Sequence, residues 1–390
     1  MELNARYDVV IVGSRVAGSV LAALLGDAGL KVLLIDAQSF PSDTLSSHLF
    51  RGAGLISVLD RLGVLESVEE TGPPRLLRNY NYSDGVPQPN PRPPHPGRLG
   101  FCMSVRRVTL DNLLILRAIQ SPSVDFLPST TVCRVLMDDE SRATGVQLRT
   151  PDGPRDVRAR IVIGADGRHS TVAKAVHAAV ERQVPAVRAL YYCTVTGFAG
   201  IAPGADAGAE FSLRGDEMVY ALPSESGVAC IATSVNLERF RWLRKDLEHN
   251  FRTVIAGHTA IAERFGAATQ LSPVTGYGPQ PNYVKVPIGP GWALVGDAGI
   301  YQDPWSGQGM DMAGLHATFL AEALVNWLVD GQSETDALAE YHVRRDEHAL
   351  PVFTSTTTLA TDLSRVAALW GFPVPEPVVI PERELEAQPA

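Results

Sequence analysis

The first 36 residues constrain this chain more than any other stretch, because residues 7–36 read as one strand–turn–helix–strand unit. Tyr7-Asp8-Val9-Val10-Ile11-Val12 is a β-branched apolar run, the pattern of a strand buried on both faces of a parallel sheet. The turn Gly13-Ser14-Arg15-Val16-Ala17-Gly18 follows. Ser19 to Ala28 then has helical propensity, and Gly29 suits a helix stop. Lys31 to Ile35 is a second strand, ended by the carboxylate of Asp36. A dinucleotide-binding turn places glycines first, third and sixth, for a tight turn, backbone approach to pyrophosphate and close helix packing. Gly13 and Gly18 hold the first and last places, and Arg15 stands in the middle one. The helix start still offers N–H groups and a positive dipole end to a phosphate. Asp36 falls where a carboxylate accepts hydrogen bonds from ribose hydroxyls. The plainer alternative is a phosphate-free unit whose glycines only pack.

Two later stretches repeat the theme of a buried strand delivering an acid to its end. Arg160 to Ile163 runs into Gly164-Ala165-Asp166-Gly167-Arg168-His169-Ser170, ahead of a helix near Thr171. Trp292 to Val295 runs into Gly296-Asp297, and Asp303-Pro304-Trp305-Ser306-Gly307-Gln308-Gly309-Met310 then opens a helix over 308–328. Each alone is also compatible with an ordinary capped turn. Between them, helices are expected over 52–70 and 109–120, with Asp111 suiting the first turn of the latter. Short strands are expected near 124–127, 131–137 and 145–149. Residues 187–235 read as antiparallel strands broken by Gly/Pro turns, 237–265 and 335–370 as mainly helix. Residues 86–97 hold six prolines and read as an extended loop.

Composition narrows the partners. The chain has 390 residues, enough for two domains or one with a large insertion. Thirty-four basic against 43 acidic residues leave a net charge of −9, which argues against nucleic acid as a partner. No apolar run approaches the ~20 residues of a membrane span. The N-terminus reaches a strand too soon for a signal peptide, and four scattered cysteines suggest neither disulfides nor a thiolate site, so a cytoplasmic setting is expected. The spacing of the nine histidines suggests no metal site.

Taken together and in order, GSRVAG, IGADGRHS and LVGDAG…DPWSGQGM resemble the FAD-dependent aromatic hydroxylases (group A flavoprotein monooxygenases), a superfamily that includes geranylgeranyl-reductase-like enzymes and flavin-dependent halogenases. The resemblance spans about residues 5–330. It implies an α/β fold: a Rossmann-like FAD-binding domain with an inserted antiparallel-sheet substrate domain and C-terminal helices. The implied division is 1–80, 98–180 and 286–330 for FAD, 81–97 and 181–285 for substrate, and 331–390 for helices and tail. It implies that Gly13, Ser14, Arg15, Ala17 and Gly18 hold the pyrophosphate, and that Asp36 binds the adenosine ribose. Arg106 resembles the arginine that reaches the pyrophosphate and ribityl region, and Val132 would meet adenine through its backbone. Asp166 and Arg168 match the second nucleotide motif. Asp297 would bind the ribityl chain, and Gly307, Gln308, Gly309 and Met310 would face the pyrimidine side of the isoalloxazine.

The resemblance further implies an FAD-dependent monooxygenase. NAD(P)H docks transiently, dioxygen is consumed, and a flavin C4a-hydroperoxide passes oxygen to an electron-rich aromatic or polyketide-like small molecule. The alternatives are a carbon–carbon double-bond reductase and a protein using FAD structurally in a non-redox cyclisation. The halogenase signature W-x-W-x-I-P is absent, and no lysine lies between Lys31 and Lys174. Phe40 to His48 looks like the stretch that passes the flavin ring, which makes His48 the first catalytic candidate, ahead of His95 and His169. Tyr192, Phe211, Met218 and Tyr220, with Tyr191, lie on the sheet that roofs substrate in the resembling fold, although aromatic residues favour strands in any sheet core.

Overall fold

In a computed structural model the chain is described over residues 6–372, apart from 47, 90, 92, 95–98 and 152. The β-branched runs assemble into a parallel sheet. Its strands are β1 (Arg6–Val12), β2 (Val32–Ile35), β3 (Val124–Leu127), β4 (Gly153–Gly164) and β5 (Trp292–Leu294), in the spatial order β5-β4-β1-β2-β3. Val12 pairs with Gly164 on one side and Ile35 on the other, so the strands end together. Alternation along β1 feeds two cores. Val9 and Ile11 pack under the helices α1 (Val16–Asp27), α2 (Arg107–Ala118) and α3 (Gly309–Leu328). Tyr7, Val10 and Val12 pack against the strands Thr131–Met137 and Ala143–Thr150 and the short helix Thr171–Ala175. The long helix α4 (Glu334–Ala360) lies against α3.

The second sheet is built on Arg188–Thr196, Gly208–Arg214, Glu217–Pro223 and Val228–Asn236, paired antiparallel. Period-two alternation again splits the side chains. Tyr191, Cys193 and Val195 face the helices of residues 237–267, whereas Leu190, Tyr192, Met218 and Tyr220 face Leu49, Leu76 and the C-terminal Leu363, Val366 and Ala367.

Several boundaries differ from the sequence reading. Arg78–Ser83 pairs parallel with Gly208–Arg214, so the division at 80/81 falls inside a strand of the second sheet. α2 begins at Arg107, two residues before the expected start, which puts Asp111 past the first turn and fully buried. Over 52–70 the helix is broken: a π-turn at Gly52–Ile56 precedes two short helices, Ser57–Arg61 and Leu65–Glu70. Only Val86–Pro87 of the described Pro-rich residues pairs, with Tyr82 and Ser83. All four cysteines are free.

Candidate functional site

The carboxyl ends of β1, β2, β4 and β5 open onto one cavity of about 540 Å³, the place where open α/β sheets bind ligands. At its β1 end the chain turns at Gly13 in a left-handed conformation (φ +99°), and a Cβ there would lie 2.4 Å from the Ala165 carbonyl oxygen. Only glycine fits. α1 starts directly after, its first N–H groups uncapped by any side chain. Ser14 does not line the cavity. It lies beneath the turn, its N–H and hydroxyl donating to Asp36 Oδ2 at 2.8 and 3.0 Å. Gly18 also lies outside the lining, packed against the Gly13 carbonyl. Arg15, Ala17, Asp36 and Val132 line the wall.

Arg15 is held by a buried acid. Its Nη1 donates to Asp111 Oδ2 at 2.6 Å and its Nη2 to the Asp43 carbonyl at 3.1 Å. Arg107 reaches the same carboxylate, Nε to Oδ1 at 2.9 Å, and also lines the cavity. Arg106 does not. As the residue capping α2 it stands in extended backbone, and its Nε donates to Glu225 at 2.7 Å. Of the adjacent pair it is Arg107 that joins Arg15 and Arg168 in the cavity wall, where the sequence reading had named Arg106. The signal was present in the Arg107–Asp111 spacing of four, which pairs charges on a helix.

The middle and far walls carry acids with few partners. Asp166 Oδ2 caps the helix at Thr171 through the Thr171 N–H (2.6 Å), while its buried Oδ1 has no partner among the described residues. Burial pushes the Asp166 carboxyl up. The Asp297 carboxyl is pushed up to about 6 by burial, against the opposing pull of Arg168 and Arg107. The Arg168 guanidinium lies between two rings, 4.6 Å from the centre of Tyr277 and 5.1 Å from that of Tyr301. None of Arg107, Tyr277 and Tyr301 stood out as a site residue in the sequence. Gly307, at φ +63°, turns the chain into α3, whose N-terminus also has no side-chain cap. Arg51 pins this loop, Nη1 to the Gly307 carbonyl (2.7 Å) and Nη2 to that of Ser306 (2.8 Å). Gly307, Gly309 and Met310 line the cavity, and Gln308, at the helix cap, does not.

His48 is 2% exposed and sits behind the lining, between cavity residues Ser46 and Leu49 and the second sheet. His169 lines the cavity, and His95 lies outside the described residues. Tyr192, Met218 and Tyr220 are buried on the sheet face and Phe211 is half-buried there, none of them in the lining. The Tyr220 hydroxyl donates to the Trp305 carbonyl at 2.8 Å, which ties this face to the α3 loop. Away from the cavity lining, Glu181, His342 and Asp346 bring ligand atoms within 4.8 Å of one another, with the Arg345 guanidinium paired to both acids. Among the described residues no helix is long and apolar enough to cross a membrane.

The family model described as "FAD binding domain" matches residues 6–356. Digeranylgeranylglycerophospholipid reductase 2 of Methanopyrus kandleri is 26% identical over 355 residues, 87% of this chain and 82% of that one. A 12-dehydrotetracycline 5-monooxygenase/anhydrotetracycline 6-monooxygenase of Streptomyces rimosus is 31% identical over 170 residues, 43% of this chain and 32% of that protein. Among solved structures, PqsL of P. aeruginosa in complex with 2-aminobenzoylacetate superposes with a TM-score of 0.78 at 25% identity, covering 94% of this chain and all of the other.

Proposed function

Because this chain belongs to the FAD-binding domain family and is an FAD-dependent oxidoreductase, we propose that it is a monooxygenase that uses NAD(P)H and dioxygen to oxygenate an electron-rich aromatic or polyketide-like small molecule. The observation that carries the reading is the cavity itself, which runs from the open start of α1 past four strand ends to the open start of α3.

The residues fit FAD. Two uncapped helix starts suit its anionic groups, and the orphaned Oδ1 of Asp166 and Oε1 of Gln302 are buried acceptors that its hydroxyl and N–H groups can satisfy. On this reading Gly13, Ala17 and the α1 N–H groups receive the diphosphate, with Arg15 and Arg107 adding charge. Asp36 takes the ribose hydroxyls, and Val132 lies on the adenine side. Asp166 and Asp297 accept from the ribityl hydroxyls. Gly307, Gly309 and Met310 lie beside the pyrimidine edge, where the dipole of the 20-residue α3 favours negative charge. When bound, FAD supplies two-electron transfer from NAD(P)H and the activation of dioxygen. The chain orients the ring and keeps water out. The face bearing Tyr192, Phe211, Met218 and Tyr220 is covered over much of its area by Leu363, Val366 and Ala367, and on this reading its edge beside Ser46 and Leu49 borders the substrate as a dry apolar wall.

The likeness to the digeranylgeranylglycerophospholipid reductase covers most of both chains and supports a second reading, reduction of a carbon–carbon double bond. Holoenzyme incubated with NADPH and labelled dioxygen, with 2-aminobenzoylacetate or related aromatic ketones in one arm and a prenyl alkene in the other, separates the two. The monooxygenase reading expects one labelled oxygen atom in the product. Unlabelled, hydrogenated product from a prenyl alkene without oxygen would overturn it in favour of reduction.

A further inference from the structure

His48 departs from an ordinary core residue in two independent ways. Its ring is buried, and neither Nδ1 nor Nε2 has a hydrogen-bond partner among the described residues. Its backbone is left-handed (φ +63°), a conformation costly for a side chain with a Cβ. The loop holds it there deliberately: its N–H donates to Ser46 Oγ at 3.1 Å, and its carbonyl accepts from the Val105 N–H at 3.2 Å. A buried polar ring with both nitrogens unmet is unfavourable unless its partner comes from outside the chain.

The surroundings narrow that partner. The ring meets Tyr192 edge to face, with centroids 5.5 Å apart, at the border between the cavity wall and the apolar sheet face. We infer that His48 binds a phenolic or enolic hydroxyl of the substrate, one ring nitrogen accepting from it or the other donating to it. This rests on the reading of that sheet face as the substrate wall. A neutral imidazole carries one donor and one acceptor, the same pair a hydroxyl offers. Burial keeps the ring neutral, its pKa lowered to about 4, so it does not match a carboxylate, which calls for a cationic partner. His48 is then a specificity residue. It favours ring systems bearing a hydroxyl over the same rings without one, because the bare ring leaves its nitrogens unmet.

The test compares 2-naphthol with naphthalene, titrated against the FAD-loaded enzyme and followed by the flavin absorption change. The parent should bind 2-naphthol at least ~10-fold more tightly than naphthalene. His48→Leu should abolish that preference by weakening 2-naphthol relative to naphthalene. His48→Asn, which tolerates the left-handed backbone, should keep FAD and part of the preference. No preference in the parent, no binding of 2-naphthol at millimolar concentration, or a full preference surviving in His48→Leu would each overturn the inference. A parent that takes up no FAD would instead overturn the functional reading beneath it.

Discussion

At the scale of single residues, the cavity is lined by acids held under tension. The folded protein raises the Asp297 carboxyl from its usual range to about 6 because burial disfavours the charge. Below pH ~3 the group is protonated in folded and unfolded chains alike and costs nothing. As pH rises from the unfolded value through the folded one, the half-buried carboxylate resists ionising while that of the unfolded chain does not, and stability is lost. Asp297→Asn should therefore stabilise the FAD-free protein by on the order of 2 kcal/mol at pH 7.5 and hardly at all near pH ~3, as read by urea unfolding at both pH values. The same variant should retain FAD less tightly, measured by flavin fluorescence on dilution. The place of Asp297 at the end of a buried strand was legible in the sequence, although the same Gly-Asp ending also suits an ordinary capped turn. Arg107 was passed over in favour of its neighbour, although its spacing of four from Asp111 marked it on an expected helix. His48 was legible only as a position, its orphaned nitrogens and backbone being properties of the folded loop.

At the scale of elements, the β1–α1–β2 unit was readable because its apolar pattern is dense and local. β4 was harder. Twelve residues long, it was visible only over its apolar end, because its first half carries Arg155, Asp156 and Arg158 on an exposed hairpin with Ala143–Thr150. Arg78–Ser83 went unread because Arg-Asn-Tyr-Asn-Tyr-Ser carries no apolar alternation, and its partner lies some 130 residues away. The π-turn at Gly52–Ile56 exists to admit a neighbour: Asp311, on α3, accepts from the Arg51 and Leu55 N–H groups, both at 2.9 Å. A Cβ on Gly54 would lie 2.2 Å from Asp311 Oδ1. Gly54→Ala should destabilise the protein by roughly 2–3 kcal/mol and displace the start of α3, seen as a lower urea midpoint together with weaker FAD retention. An unchanged midpoint would mean that the turn relaxes freely.

At the scale of the whole molecule, two sheets share one junction. The C-terminal residues Leu363, Val366, Ala367 and Trp370 cover the same face that carries Tyr192 and Tyr220, and Gln88 donates to the Trp370 carbonyl. Removing residues 363–390 should bare this apolar face and leave the dinucleotide cavity, none of whose lining lies there, intact. The expected outcome is stronger binding of a hydrophobic dye with unchanged FAD content. Loss of FAD instead would mean that the two sheets stand or fall as one unit. The α/β class and the inserted sheet were anticipated from three ordered motifs. The junction was not, because it joins stretches whose contacts no local pattern encodes.

The cavity wall is assembled from distant parts of the chain: the turn at Gly13, the strand end at Asp166 and the loop from Gly296 to Ala313. During synthesis the ribosome delivers these parts in order, and the loop from Gly296 follows the turn at Gly13 by some 280 residues. A nascent chain that stops short of Gly296 therefore lacks one wall of the pocket, and loading of the cofactor waits until that loop has been made.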